Sequence, residues 1–309
     1  MPFDFSAVSA PFRMQPGLRR IAAGAPQLTP NEPGSHALRE KLGVLQHHPT
    51  QALLAAPGFD PAAALSALMR HAAVEHPDAF AWDGALGFDA AWLGWSIRGE
   101  SLCGNGPGAI GACLRALAPE WRLPGLLSLA LAQDFAVIDG ATARIPWLAV
   151  CLPSRWAPEE KIGRHFAEVH APVADNELLI TAADHLAQLV TGAQRWERFV
   201  WTVTAEARLM QHPRFVPPTP WPAALDADAL AARASFRTER QTFIPLPDLR
   251  QAVFTIGVES RPLIEAIDTP ERASRVYDAL ASMGDAVLAY RGLTEARERL
   301  LAWLASKTM

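Results

Sequence analysis

Apolar and polar positions fall into a legible pattern from residue 124 onward. Residues 134–138 and 147–152 are two β-rich runs joined by a turn at Asp139-Gly140, and residues 198–205 set Phe199, Trp201 and Val203 against polar neighbours. Residues 236–244 are rich in Thr and Phe, and residues 252–258 are strongly β-branched, which completes five predicted strands. Helical spacing marks residues 36–46 and 60–74, the second opened by Asp60-Pro61, an N-cap followed by proline at the first helical position. Further helices are predicted over 125–132, over 158–169 from a Pro158-Glu159-Glu160 first turn, over 181–189 beyond the break at Pro172, and over 271–282 and 295–305.

Other stretches lack a period. Residues 1–35, rich in Pro and Gly, read as an arm lying over the fold, and residues 82–111, which mix Trp82, Trp92 and Trp95 with eight glycines, read as irregular structure with short helices. Pro213, Pro217, Pro218, Pro220 and Pro222 exclude helix and inner strand, leaving an extended crossing or lid. The order strand, strand, helices, strand, strand, strand predicts an α+β unit: a five-stranded antiparallel sheet that cups a ligand, with helices on one face. The last three strands lack the crossovers of about 10–12 residues that parallel pairing requires. One compact unit is expected, with residues 1–120 as arm and helical region, 121–262 as core and 263–309 as C-terminal helices.

Composition narrows the function. The 309 residues carry 28 Lys+Arg against 32 Asp+Glu, a formal charge of −4, which gives no general attraction to a phosphate backbone, so nucleic acid is not expected as a partner. Only Lys41, Lys161 and Lys307 are lysines. No apolar run approaches the ~20 residues that span a bilayer, the N-terminus lacks the apolar stretch of a secretory signal, and Cys103, Cys113 and Cys151 fit neither a disulfide framework nor a metal knuckle. A reducing, cytoplasmic setting without membrane contact is expected.

Familiar catalytic motifs do not hold up. Gly106-Pro-Gly-Ala-Ile-Gly111 matches GxGxxG, but no β-branched strand precedes it, Pro107 removes an amide, and no acidic residue follows at the required distance; a loop without NAD is expected. His165 and His170 bracket Glu168 at an offset of five, which turns the rings ~140° apart on a helix instead of onto one face, and His71 with His76 repeats that offset. No Gly-x-Ser-x-Gly elbow is present.

The unusual text is Cys151-Leu-Pro-Ser-Arg-Trp156, Lys161-Ile-Gly163, Val169-His-Ala-Pro-Val173 and Arg237-Thr-Glu-Arg-Gln241. A histidine just beyond a helix end and beside a proline is stiffly held, which suits axial ligation of a haem iron; such a histidine also serves to cap carbonyls. Arg237 and Glu239 share one strand face while Arg240 projects from the other, and with Arg198 these guanidinium groups suit carboxylates such as haem propionates, or a cross-strand salt-bridge network. Trp156, Trp201 and Phe243 suit a pocket wall or plain core.

With Gln133-Asp-Phe135 and Arg198-Phe-Val-Trp201, these motifs resemble, in order, the haem-dependent oxidative N-demethylase family (DUF3445), over about residues 11–263. The resemblance implies a PAS-like fold holding haem b, and oxidation of an N-methyl group of a small amine with O2, releasing formaldehyde. It places His170 as the axial ligand, with His165 and His212 as runners-up. It assigns Arg237, Arg240, Trp201 and Trp156 to the cofactor, and Glu239 and Arg198 to the chemistry, Glu239 facing a cationic amine. The chain has no flavin or iron–sulfur motif, so electrons would come from a separate flavin or iron–sulfur reductase fed by NAD(P)H. Val200 stands where the family commonly has Asn, and Ala174 where it has a second proline. A PAS-like haem or small-ligand sensor without turnover, and a member that binds no haem, are the rival readings.

Overall fold

The computed structural model describes residues 3–308. Eleven strands occur among them. β1 (Arg19–Arg20) and β2 (Leu53–Ala55) are short; β3 (Phe80–Trp82), β4 (Phe88–Ala90), β5 (Trp95–Arg98) and β6 (Ser101–Gly104) follow in quick succession. β7 (Asp134–Asp139), β8 (Arg144–Ala149), β9 (Trp196–Thr204), β10 (Ser235–Leu246) and β11 (Gln251–Pro262) complete the set. They form a seven-stranded sheet in the order β1-β9-β10-β11-β7-β8-β2 and a four-stranded sheet in the order β3-β4-β5-β6. All pairings are antiparallel. The α+β class therefore holds, with two corrections. The main sheet has seven strands instead of five, because β1 and β2 add two edges too short to show a period. The stretch 82–111 is largely a four-stranded meander, not irregular structure.

Register fixes what each face carries. Thr242 lies opposite Thr255, and their hydroxyls are 2.7 Å apart. With Phe135, Val137, Trp147, Ala149 and Ile244 these residues form the first face, packed under the helices His36–His47, Ala62–Glu75 and Pro119–Ala130. Toward β9 the same face carries Trp201, Val203 and Phe236, covered by the helices Pro270–Ala281 and Arg297–Lys307. The second face carries Ala136, Ile138, Leu148, Phe243, Ala252 and Phe254, overlaid by residues 151–191. Helices thus cover both faces, not one.

The segment over the second face is not the single helix expected for 158–169. A 3-10 turn, Pro158–Glu160, gives way to Gly163 at φ +69°, a conformation glycine adopts without penalty. The Gly163 amide donates to the Ile145 carbonyl, and His165 bridges to Arg144 of β8. Attachment to the sheet outweighs helix propensity here, and helix resumes only over Phe166–His170. The glycine motif also departs from the loop reading, since Gly108–Ala116 is a helix. Its glycines serve packing, because a Cβ on Gly106 or Gly111 would collide with the Leu93 carbonyl or the Trp95 ring. The proline-rich crossing between β9 and β10 contains no helix or strand before Ala227–Arg233.

Candidate functional site

Helix Phe166–His170 has only five residues, so external groups set its position. At its start His165 is the N-cap: Nδ1 accepts from the Ala167 amide at 3.2 Å, while the Glu168 carboxylate accepts from the His165 amide at 2.8 Å, a reciprocal capping box. At its end the Lys161 Nζ donates to the Val169 carbonyl at 2.9 Å, and the Asn176 amide donates to the carbonyls of His170 and Ala171 at 3.2 and 2.7 Å. Phe166 inserts among Ile138, Ala187, Val190 and Phe243, and the His170 ring packs on it with centroids 4.1 Å apart.

The three histidines singled out in the sequence differ in what their ring nitrogens do. His165 spends both, its Nε2 lying 2.8 Å from Asp184 Oδ1. His212 spends both as well, Nε2 at 2.9 Å from Glu159 Oε2 and Nδ1 accepting from the Arg214 amide. His170 spends one. Its Nδ1 lies 2.8 Å from the Phe166 carbonyl. A carbonyl only accepts, so the Nδ1 carries the proton and the lone pair is on Nε2, which has no hydrogen-bond partner among the described residues. Burial pushes the imidazole down to about 4, with the charges of Arg198 and Lys161 adding to it and the Phe166 carbonyl opposing. The ring is neutral at pH 7.

Beyond Phe243 the second face turns polar. Arg198 of β9 lies opposite Gln241 of β10, next along from the pair Val200 and Glu239. The Gln241 amide donates to Glu239 Oε2 at 2.7 Å, and the Ser154 hydroxyl donates to Oε1. Arg237 is buried and uses four of its five donors: Nε and Nη2 meet Ser154 Oγ at 2.9 and 2.7 Å, and Nη1 and Nη2 meet the carbonyls of Arg208 and Leu209. Arg198 is the opposite case. It makes no hydrogen bond or ion pair among the described residues, and its Nε is sealed from solvent. Desolvation lowers its pKa, against the attraction of Glu239.

The structure therefore puts Arg198, Glu239 and Arg237 on the second face and lays the helix that carries His170 over the same face, with Trp156 half-buried beside Ala136, Ile145, Leu148 and Val150. It does not bring Arg240 and Trp201 there. Arg240 projects from the first face, where Nε meets Glu197 Oε2 at 2.9 Å and Nη1 meets the Pro26 carbonyl. Trp201 stacks on Phe236 in the C-terminal core. Strict alternation along β9 and β10 sends both away from His170. Sequence reasoning missed Ser154, Lys161 and Gln241 as site residues; each lies in a quoted motif, but nothing in the sequence showed which groups they would touch.

Could these residues hold a haem? Four observations bear on it: a neutral imidazole with a free nitrogen, one unpartnered guanidinium, a wall of Phe166, Phe243, Phe254 and Trp156, and no convergence of three or more His, Cys, Asp or Glu among the described residues on a metal-sized site. A porphyrin supplies its own four nitrogens and takes from the protein an axial donor, a cation for its carboxylates and apolar walls, the types of group present here. Residues 35–301 match the family described as haem-dependent oxidative N-demethylase, alpha subunit-like.

The chain belongs to this family. None of the helices among the described residues is long and apolar enough to cross a membrane.

Proposed function

We propose that this member of the haem-dependent oxidative N-demethylase family is a haem-b-binding oxygenase subunit that demethylates a small amine, using O2 and electrons from a separate NAD(P)H-dependent reductase. The observation that carries the reading is the division of labour among three histidines: His165 and His212 have both nitrogens occupied, and His170 alone has one tied to a carbonyl and the other free. A ligating histidine is held in this way, with Nδ1–H on a carbonyl fixing both tautomer and ring orientation.

When bound, the haem would supply O2 activation and oxidation of the N-methyl group, leaving formaldehyde and the demethylated amine. The chain's own residues bind and orient. His170 presents Nε2, and Arg198 meets an anionic group at the site. Glu239 uses one lone pair on each oxygen for Ser154 and Gln241, which leaves acceptor capacity for an ammonium substrate. Arg237 holds Ser154 in place beneath Glu239. The PAS-like reading is supported by the five central strands, whose spatial order puts the first two in sequence, β7 and β8, after the last three. The three free thiols suit a reducing, cytoplasmic setting.

The test is a hemin titration followed by visible absorption. The parent protein should develop a Soret band, His170→Ala should lose most of it, and His165→Ala and His212→Phe should keep it. A colourless parent, or an unchanged band in His170→Ala, overturns the reading. With a generic reductase supplied, formaldehyde should appear only when an N-methylamine is added; NADPH consumption indifferent to amine would instead favour a sensor.

A further inference from the structure

Haem b carries two carboxylates, and the site described so far offers one free cation. Burying a carboxylate against apolar walls is costly unless a charge or hydrogen bond meets it. Few of the cations bordering the second face have donors left. Arg237 has four of its five donors on Ser154 and two carbonyls. Arg155 pairs with Glu206, and Arg240 with Glu197 on the other face. Arg144 is exposed and donates to the Gly163 carbonyl, and Arg195 is spent on Gln27 and the carbonyls of Ala22 and Ala25. Lys161 remains. Its ammonium has three donors and uses one, on the carbonyl of Val169, the residue immediately before His170. It forms no ion pair among the described residues and is half-buried.

We infer that Lys161 is the second anion anchor of the site, pairing with one porphyrin carboxylate while Arg198 pairs with the other. The inference rests on the haem reading above and deepens it. Two details support the placement. The bond to Val169 ties the ammonium to the same helix that presents His170, so the cation and the iron ligand move as one body. The segment that carries Lys161 also lies on the face from which Arg198 projects, Ile162 next to it packing with Ala136, Ile145, Leu148 and Val150. Burial lowers the pKa of Lys161, with the Glu160 carboxylate opposing and Arg164 adding to it.

The test titrates the full chain with hemin and with hemin dimethyl ester, which keeps the iron and the porphyrin but removes both negative charges. The parent should bind hemin more tightly than the ester. Lys161→Met, which keeps the aliphatic stem, should weaken hemin about tenfold and leave the ester nearly unchanged, since one charge-assisted hydrogen bond is at stake. Lys161→Arg should restore most of the preference. Equal weakening of both ligands by Lys161→Met and by Lys161→Gln would show a role confined to holding the helix, and overturn the assignment; so would an unchanged preference for hemin. If neither ligand gives a Soret band with the parent, the haem reading itself falls and this assignment falls with it.

Discussion

Two regions of this protein take cations out of water and treat them in opposite ways. Where helix His36–His47 meets the start of β7, Lys41 is wholly buried and paired: Nζ donates to the carbonyls of Leu131 and Gln133 at 3.0 and 2.7 Å and forms an ion pair with Asp134 Oδ1 at 2.9 Å. Asp134 in turn accepts from the Leu152 amide at 2.6 Å. Around His170, Lys161 uses one donor of three and Arg198 none. In the first arrangement the charge is neutralised within the chain. The second is left open, and a desolvated charge without a partner is stable only to the extent that the surrounding fold enforces it. Donor accounting, more than burial, separates a structural cation from one awaiting a ligand.

The sharpest way to break this comparison is Lys41→Met. It strands the Asp134 carboxylate in the core without its counter-charge, and should cost about 3–5 kcal/mol in urea unfolding while leaving the hemin affinity of the folded fraction unchanged. A loss no larger than that of a surface pair, about 1 kcal/mol or less, would show that the two regions do not differ. Arg198→Met should do the reverse. Removing a guanidinium whose Nε has no partner should leave stability unchanged or raise it by up to about 1–3 kcal/mol, and weaken hemin binding in the same preparation.

A smaller effect is expected from His165→Ala, which deletes the N-cap of the helix carrying His170. The loss should be about 1 kcal/mol in thermal or urea unfolding, with the Soret band of loaded protein retained. Disappearance of the band would make His165, not His170, the residue on which the site depends.

How far the sequence revealed all this follows from the length of each signal. β9, β10 and β11 run 9 to 12 residues, long enough for alternation in the first and for β-branched and aromatic content in the other two to show, so both their existence and the opposed faces of Arg237 and Arg240 could be read off directly. β1, β2 and the meander β3 to β6 have two to four residues each, too few for a period to register, and glycines interrupt them. The helix expected over 158–169 failed because a tertiary bridge, His165 to Arg144, overrode a sound local first turn. At the site, His170 was legible from its place beside Pro172. That Arg237 would be consumed by Ser154 and two carbonyls, while Arg198 was left free, depends on chain segments 28 to 83 residues away and is written in no local pattern.

The effect that vanishes at neutral pH sharpens the comparison in acid. His170 titrates near 4 when folded against an ordinary 6.5, chiefly through burial, with Arg198 and Lys161 pushing the same way. Above 6.5 both folded and unfolded chains hold the ring neutral. As pH falls from 6.5 toward 4 the unfolded chain takes up a proton that the folded chain refuses, so stability declines through that window and not above it. Protonation of Nε2 also competes directly with any metal it ligates. The Soret band of hemin-loaded protein should therefore persist to about pH 4–5 instead of fading through 6.5. Because the two cations depress the imidazole, Arg198→Met and Lys161→Met should each move the apo-protein titration of His170, followed by NMR, to higher pH. Lys41→Met should not move it at all. A His170 midpoint that stays near 6.5 in the parent, or that responds equally to all three substitutions, would remove the electrostatic distinction between the closed cation site and the open one.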